Sequence, residues 1–85
     1  MDARPSLVHL LRNTPVRQLE RALRRDGFEL RRQTRTGSRM YVSRDGRTTT
    51  IHFHHASDTL PPGTLGSVLE ATRWTEDDAR RLGLL

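Results

Sequence analysis

The sequence predicts an α+β fold, in which a three-stranded antiparallel sheet lies under two helices. Two patterns support this prediction. Apolar residues recur at helical spacing near residues 15–26 and again from residue 62 onward. Between these segments, three short stretches alternate apolar and polar residues, as half-buried strands do. The predicted order is therefore α-β-β-β-α, with short helical segments added at the N- and C-terminal ends.

The first main helix is predicted at residues 15–26. Thr14 and Pro15 are a typical start, because threonine caps the first turn and proline tolerates the first helical position. The apolar stripe of this helix consists of Val16, Leu19, Ala22 and Leu23. Gly27 then ends the helix, since glycine readily adopts the left-handed conformation found after a helix.

Three strands are predicted at residues 28–32, 39–43 and 48–54. Asp45-Gly46 lies between the second and third strands and predicts a tight hairpin turn with positive φ angles. Because side chains alternate along a strand, each strand divides into two faces. The second strand places Met40 and Val42 on one face, and Arg39, Tyr41 and Ser43 on the other. The third strand places Ile51 and Phe53 on one face, and Thr50, His52 and His54 on the other.

The two ends of the chain carry further helix signals. A second main helix begins near Pro62-Gly63, and its apolar stripe consists of Leu65, Val68 and Leu69. Thr75, followed by three acidic residues, predicts a capped terminal helix that ends at Gly83. Residues 1–14 are predicted to be an N-terminal extension with a short helix. This helix either packs on the domain formed by residues 15–85, which is the favoured interpretation, or docks a partner.

Composition limits the class of protein. The 85 residues make one small domain, and with 33% hydrophobic residues its core will be thin. The absence of cysteine excludes disulfide scaffolds, thiolate zinc sites and cysteine nucleophiles. No apolar run approaches the ~20 residues of a membrane span, and the first residues do not resemble a signal peptide. We therefore expect a soluble, cytoplasmic protein without membrane contact.

The charge of the chain is positive and unevenly distributed. All fifteen basic residues are arginine, and the formal net charge is +5. Residues 1–47 carry twelve arginines and five acids, whereas residues 48–85 carry three arginines and five acids. This asymmetry predicts an anionic partner at the first half of the chain. Guanidinium groups suit phosphate in particular, because they bind it in a bidentate manner and also stack on bases.

Six arginines cluster between residues 31 and 47, and they are the candidates for phosphate contact: Arg31, Arg32, Arg35, Arg39, Arg44 and Arg47. The alternative is a set of solvated surface arginines with no partner. Tyr41 lies among them and is predicted either to stack on a base or to serve as a cross-strand aromatic residue.

His52 and His54 are the candidate catalytic residues, because their spacing places both imidazoles on one strand face. Histidine suits acid–base chemistry on a partner made of phosphates, since its ordinary pKa lies near neutral pH. Two other interpretations remain open at this point. The two side chains are either solvent-facing histidines without a role, or part of a metal site together with His55, although no spaced carboxylate or cysteine completes such a site.

Several motifs give the chain a resemblance to a known family. They are Asp26-Gly27-Phe28, Gly37-Ser38, Asp45-Gly46 and the run from Leu60 to Leu65, LPPGTL. In this order and spacing, the motifs resemble those of the HicA (YcfA-like) toxins of bacterial toxin–antitoxin pairs. The resemblance covers about residues 15–85. It implies a fold like double-stranded-RNA-binding domains, cleavage of messenger RNA without a cofactor, and a cognate HicB-like antitoxin that covers the active surface.

The chain departs from the family at the catalytic loop. The family carries a Gly-Ser-His pattern there, whereas here Gly37-Ser38 is followed by Arg39-Met40. Alignment on the glycine puts Arg39 at the catalytic position, and alignment on Tyr41 puts Ser38 there. The difference is either natural or engineered, and in both alignments the loop lacks the family histidine. Ser38 joins the candidate RNA contacts, and His54 matches a histidine common in the family at the end of the third strand.

Two functions are therefore carried forward from the sequence. The first is an RNA-cleaving toxin in which the missing loop histidine weakens cleavage, because arginine stays charged and cannot act as the base. The alternative is a domain that binds RNA or the antitoxin without cutting.

Overall fold

The computed structural model describes residues 6–85, which form a three-stranded antiparallel sheet with helices packed on one face. The elements in chain order are α1 Leu7–Leu11, α2 Val16–Arg25, β1 Glu29–Gln33, β2 Ser38–Val42, β3 Thr48–His52, α3 Pro62–Thr72 and α4 Glu76–Arg81. The strands are hydrogen-bonded in the order β1-β2-β3. The predicted α+β class and α-β-β-β-α order are confirmed. Residues 1–5, and with them part of the predicted extension, lie outside the described residues.

The core lies between the sheet and the two main helices. The predicted apolar stripes of both helices are buried: Val16, Leu19, Ala22 and Leu23 in α2, and Leu65, Val68 and Leu69 in α3. The sheet contributes Tyr41 and Ile51 to the same cluster. Helix α1 also packs there, because Leu11 is buried and Val8 lies against α3 at Gly66.

The opposite face of the sheet is open to solvent. Along β3, Thr49 and Ile51 are buried, whereas Thr48, Thr50 and His52 are exposed. This alternation is the one that the sequence predicted for the third strand. It means that the side chains of β2 paired with Thr49 and Ile51 face the helices, and that those paired with Thr50 and His52 face solvent.

The orientation of β2 corrects part of the sequence interpretation. Arg39 pairs with Ile51 and Tyr41 with Thr49, so both residues lie on the helix face of the sheet. Met40 pairs with Thr50 on the open face. The sequence divided β2 correctly into two faces, but the exposed face is the one that carries Met40.

The turns follow the predicted positions with small differences in geometry. Ser43 donates its N–H to the Arg47 carbonyl at 2.9 Å, which closes a three-residue loop rather than a two-residue turn. Gly46 alone in this loop has a positive φ, of 90°, as in a type I turn followed by a glycine bulge. At the start of α2, Pro15 rather than Thr14 is the N-cap, and it forms a bridge with Thr59.

One carboxylate joins four parts of the chain. Asp26, at the end of α2, accepts hydrogen bonds from Trp74 Nε1 at 2.8 Å, Arg47 Nη1 at 3.1 Å and Arg81 Nη2 at 3.0 Å. Arg47 also donates to the Thr72 carbonyl at 2.6 Å. The end of α2, the β2–β3 hairpin, the end of α3 and helix α4 therefore meet at Asp26.

The pKa of Asp26 reflects these contacts. Burial raises this pKa, but the hydrogen bonds from Trp74 and Arg81 and the charge of Arg47 outweigh that effect and lower it below 3.8. A carboxyl group whose pKa is lowered in the folded state stabilises the protein above the pKa of the unfolded chain. This stabilisation is lost as the pH falls through the folded pKa.

We expect Asp26→Asn to lower the free energy of unfolding by about 2 kcal/mol, because two arginines lose a charged acceptor. For a domain of this size, that loss corresponds to a fall in Tm of about 10 °C. Thermal unfolding at neutral pH measures it. The matched control is Asp77→Asn, since the Asp77 side chain is 95% exposed and its removal should shift Tm little. Equal Tm shifts in the two variants would contradict this role of Asp26, as would a Tm difference that persists at a pH well below the folded pKa of Asp26.

Candidate functional site

The open face carries a cluster of one hydroxyl and two imidazoles. Ser38 and His52 lie opposite each other in the β2–β3 register, and Ser38 Oγ is 2.9 Å from His52 Nδ1. The ring of His54 lies edge-on to that of His52, with 5.5 Å between the ring centroids. The predicted shared face of His52 and His54 is thus extended by a contact with Ser38.

A glycine makes this cluster possible. Gly37 precedes Ser38 with φ 98°, and its carbonyl accepts the N–H of Phe53 at 3.1 Å. A Cβ at this position would collide with the Phe53 carbonyl oxygen, so no other residue fits without a shift of the backbone. The Gly37–Phe53 bond continues the β2–β3 pairing beyond Ser38, which fixes the Ser38 side chain beside His52.

The Ser38 contact orients the His52 ring. Nδ1 faces the Ser38 hydroxyl, which leaves Nε2 as the ring nitrogen directed away from this bond. An imidazole that is held through one nitrogen can accept or donate a proton at the other. Since His52 is exposed, a substrate on the open face can reach it.

A cavity of about 240 Å³ lies next to the cluster on the open face. Its lining consists of Arg32, Thr34, Ser38, Met40 and Thr50. The sequence interpretation proposed no binding role for Thr34, Met40 or Thr50. The β2–β3 register indicates a role for two of them, because Met40 and Thr50 form a cross-strand pair on the same face as the pair of Ser38 and His52.

Two of the six candidate arginines, Arg39 and Arg47, have partly buried side chains that pair with carboxylates of the helix layer. Arg39 Nη1 lies 2.8 Å from Glu20 Oε2, and its guanidinium carbon lies 5.0 Å from the centre of the Phe53 ring. Arg47 binds Asp26 and lies over the ring of Phe28 at 4.9 Å. These two side chains hold the sheet to the helices, and neither points to the open face beside His52.

Tyr41 does not offer its ring to a base. The residue is 0% exposed, and its hydroxyl donates a hydrogen bond to Glu20. Burial, together with the contact to Glu20, raises the pKa of Tyr41 to about 12. The predicted stacking of Tyr41 on RNA is therefore wrong for this fold, and the alternative interpretation as an aromatic residue of the sheet is correct.

The other four arginines are exposed, but they do not form one group. Arg32 lines the cavity, and Arg35 lies in the loop that precedes Ser38. Arg31 pairs with Glu29 at 3.4 Å, and both side chains remain mostly exposed. Arg44 lies in the β2–β3 hairpin, at the far end of β2 from Ser38. Arg32 and Arg35 are thus the candidate phosphate contacts placed nearest to the Ser38–His52 pair.

The alternative of a histidine metal site has no support in the described part of the chain. Among residues 6–85, no three histidine, cysteine, aspartate or glutamate side chains are grouped so that they could hold a metal ion. None of the helices among these residues has the length and apolar character that crossing a membrane requires.

The fold and the open face together define a class of protein. Two helices cover one face of a three-stranded antiparallel sheet in the order α-β-β-β-α, which is the architecture of double-stranded-RNA-binding domains. The profile of a family described as the HicA toxin of bacterial toxin–antitoxin matches residues 16–74, from the start of α2 to Trp74. The chain therefore belongs to the HicA toxin family. No curated protein matches the chain.

We expect Arg39→Ala to lower the free energy of unfolding by about 2 kcal/mol. Glu20 is only 5% exposed and would keep one neutral donor in place of a charged partner, although Arg39 is too exposed for the full ~3–5 kcal/mol of a buried pair. Urea denaturation measures the loss. Arg32→Ala removes the same side chain from the open face of the adjacent strand and should change stability by less than about 0.5 kcal/mol. A larger loss for Arg32→Ala would contradict this division of the arginines.

Proposed function

We propose that this toxin binds messenger RNA on the open face of its sheet and cuts it without a metal ion. Family membership gives the toxin role and implies a cognate antitoxin. The observation that supports cleavage is the contact between Ser38 and His52 on an exposed face that also carries His54 and Arg32. We also propose that the antitoxin is HicB-like and covers this face, and that the toxin acts in the cytoplasm, where messenger RNA is found.

The proposed reaction uses the two imidazoles as base and acid. His52 Nε2 takes the proton from a ribose 2′-OH, and the 2′-oxygen attacks the adjacent phosphorus. A 2′,3′-cyclic phosphate forms as the bond from phosphorus to the 5′-oxygen breaks. His54 donates the proton that this leaving oxygen requires. Arg32 lies on the same face and stabilises the negative charge that develops on the phosphate oxygens.

The missing loop histidine has a local replacement in this proposal. Ser38 lies on the open face next to His52, whereas Arg39 lies on the helix face and pairs with Glu20. This supports the alignment in which Ser38 occupies the family catalytic position. His52 then supplies an imidazole at nearly the same place, from the neighbouring strand.

We expect His52→Asn to reduce cleavage about 100-fold or more, because general base catalysis contributes roughly 10²–10⁴-fold. His54→Asn should give a loss of similar size. Ser38→Ala should reduce cleavage about tenfold, since it leaves the imidazole in place but without its orienting partner. The assay uses a long single-stranded transcript in EDTA, and the matched control is His9→Asn, which changes an exposed histidine on α1. Unchanged cleavage in both His52→Asn and His54→Asn would contradict the proposed site.

The two alignments of the loop make opposite predictions. We expect Ser38→His to cleave at least as fast as the starting protein, because it puts an imidazole on the open face. Arg39→His should lose stability without gaining cleavage, because its side chain lies under α2 against Glu20. Cleavage rates and Tm of the two variants measure this. A gain in cleavage for Arg39→His alone would show that Arg39 occupies the catalytic position.

The second candidate function is RNA binding without cleavage. It is favoured by the lack of a histidine at Ser38 and Arg39, the two positions at which the alignments place the family histidine. Contacts to phosphate would then account for the affinity, which should fall steeply as salt is added. This candidate would be favoured over the nuclease if the protein binds RNA in a salt-dependent manner and neither it nor its Ser38→His variant cuts the RNA.

A further inference from the structure

We propose that the cavity beside His52 binds one unpaired nucleobase, so that the toxin acts on single-stranded RNA. This inference rests on the proposed RNA-cleaving function and specifies its substrate. The cavity itself comes from the structure, because Thr34, Met40 and Thr50 in its lining had no binding role predicted from the sequence.

The size of the cavity suits a small planar group. Its volume of about 240 Å³ is below the roughly 300–1,000 Å³ of sites for drug-sized ligands. One nucleobase is smaller than such ligands. A base pair within a duplex has no free base to insert, because its two bases are hydrogen-bonded to each other and stacked on the neighbouring pairs.

The lining of the cavity suits the chemistry of a base. Met40 provides an apolar and polarisable surface, which makes favourable contacts with flat aromatic rings. Arg32 provides a planar guanidinium group that can stack on a base or bind the adjoining phosphate. An apolar surface with hydroxyl groups at its edge is typical of sites that hold a small, partly polar ring.

Thr50 is the side chain best placed to recognise the edge of the base. The other two hydroxyls of the cavity are engaged within the protein: Ser38 with His52, and Thr34 with Thr36 and the N–H of Ser38. The Thr50 hydroxyl, by contrast, belongs to an exposed residue that lines the cavity. It can therefore donate to a base or accept from one.

The position of the cavity connects base binding to the reaction. Ser38 belongs both to the cavity and to the contact with His52, and Thr50 precedes His52 by two residues on the same strand face. A base in the cavity therefore brings its own ribose close to His52. This site therefore holds the nucleotide whose 2′-OH attacks. In a paired helix the base would first have to leave the stack, which costs free energy that a single strand does not require.

The experiment is an abasic scan of a short RNA. A single-stranded oligonucleotide with 2′-O-methyl groups is not cut, because the attacking hydroxyl is blocked, so its equilibrium affinity for the full-length protein can be measured. Each nucleotide in turn is replaced by one that lacks a base. We expect one position to lose about tenfold in affinity, since a contact between a methionine sulfur and a flat ring, as Met40 would offer, contributes up to about tenfold. The same sequence in a perfect duplex should bind at least tenfold more weakly.

Thr50→Val tests the edge contact, and valine is well tolerated at a strand position. We expect it to weaken binding of the complete oligonucleotide about fivefold, but not binding of the oligonucleotide that lacks the critical base. Thr48→Val is the matched control, because Thr48 lies on the same strand face outside this cavity. It should leave both affinities unchanged.

The outcomes separate this inference from the proposed function. Small and equal losses at every abasic position, or equal affinity for single strand and duplex, would overturn the base-binding cavity and leave an RNA-binding toxin intact. Equal effects of Thr50→Val and Thr48→Val would overturn the role of Thr50. Absence of binding to any RNA would overturn the proposed function, and this inference with it.

Discussion

The orientation of the central strand depends on a buried carboxylate. Glu20 lies on the core side of α2 and accepts hydrogen bonds from Arg39 Nη1 at 2.8 Å and from the Tyr41 hydroxyl. A buried carboxylate is costly unless it is paired, so these two donors must face the helix. Since side chains alternate along a strand, this requirement turns Ser38 and Met40 to the open face. The candidate site on one side of the sheet is thus a consequence of a charge pair on the other.

Two carboxylates of the same helix segment fix the two ends of β2. Glu20 holds the half near Ser38, and Asp26 holds the hairpin through Arg47. The Gly37–Phe53 hydrogen bond then sets the register next to the site. A slip of one residue would exchange the two faces of the strand, which would bury Ser38 and expose Arg39. These polar contacts specify the register in a domain whose apolar core is small.

All the basic residues of the chain are arginine, and none is lysine, which has a structural consequence. Arg47 contacts Asp26, Asp45 and the Thr72 carbonyl while it lies over the ring of Phe28. Only a guanidinium group offers this combination of several fixed donors and a flat stacking surface. The same properties suit Arg32 and Arg35 to phosphate and to bases. One residue type thus serves the interior and the proposed RNA surface, and composition cannot tell these two uses apart.

The sequence by itself determined the elements, their order, the stripes of α2 and α3 and the shared face of His52 and His54. These features follow from local periodicity and turn residues, which each segment carries in itself. Only the tertiary structure decided which face of β2 is exposed, which arginines are internal and that Ser38 meets His52. Those outcomes depend on residues far apart in the chain, such as Glu20 with Arg39 and Ser38 with His52, 19 and 14 positions apart. Met40 shows where prediction from local pattern fails. An apolar residue in a strand predicts a core position, but Glu20 requires its polar partners Arg39 and Tyr41 on the helix side. This stronger requirement places Met40 on the open face of the sheet.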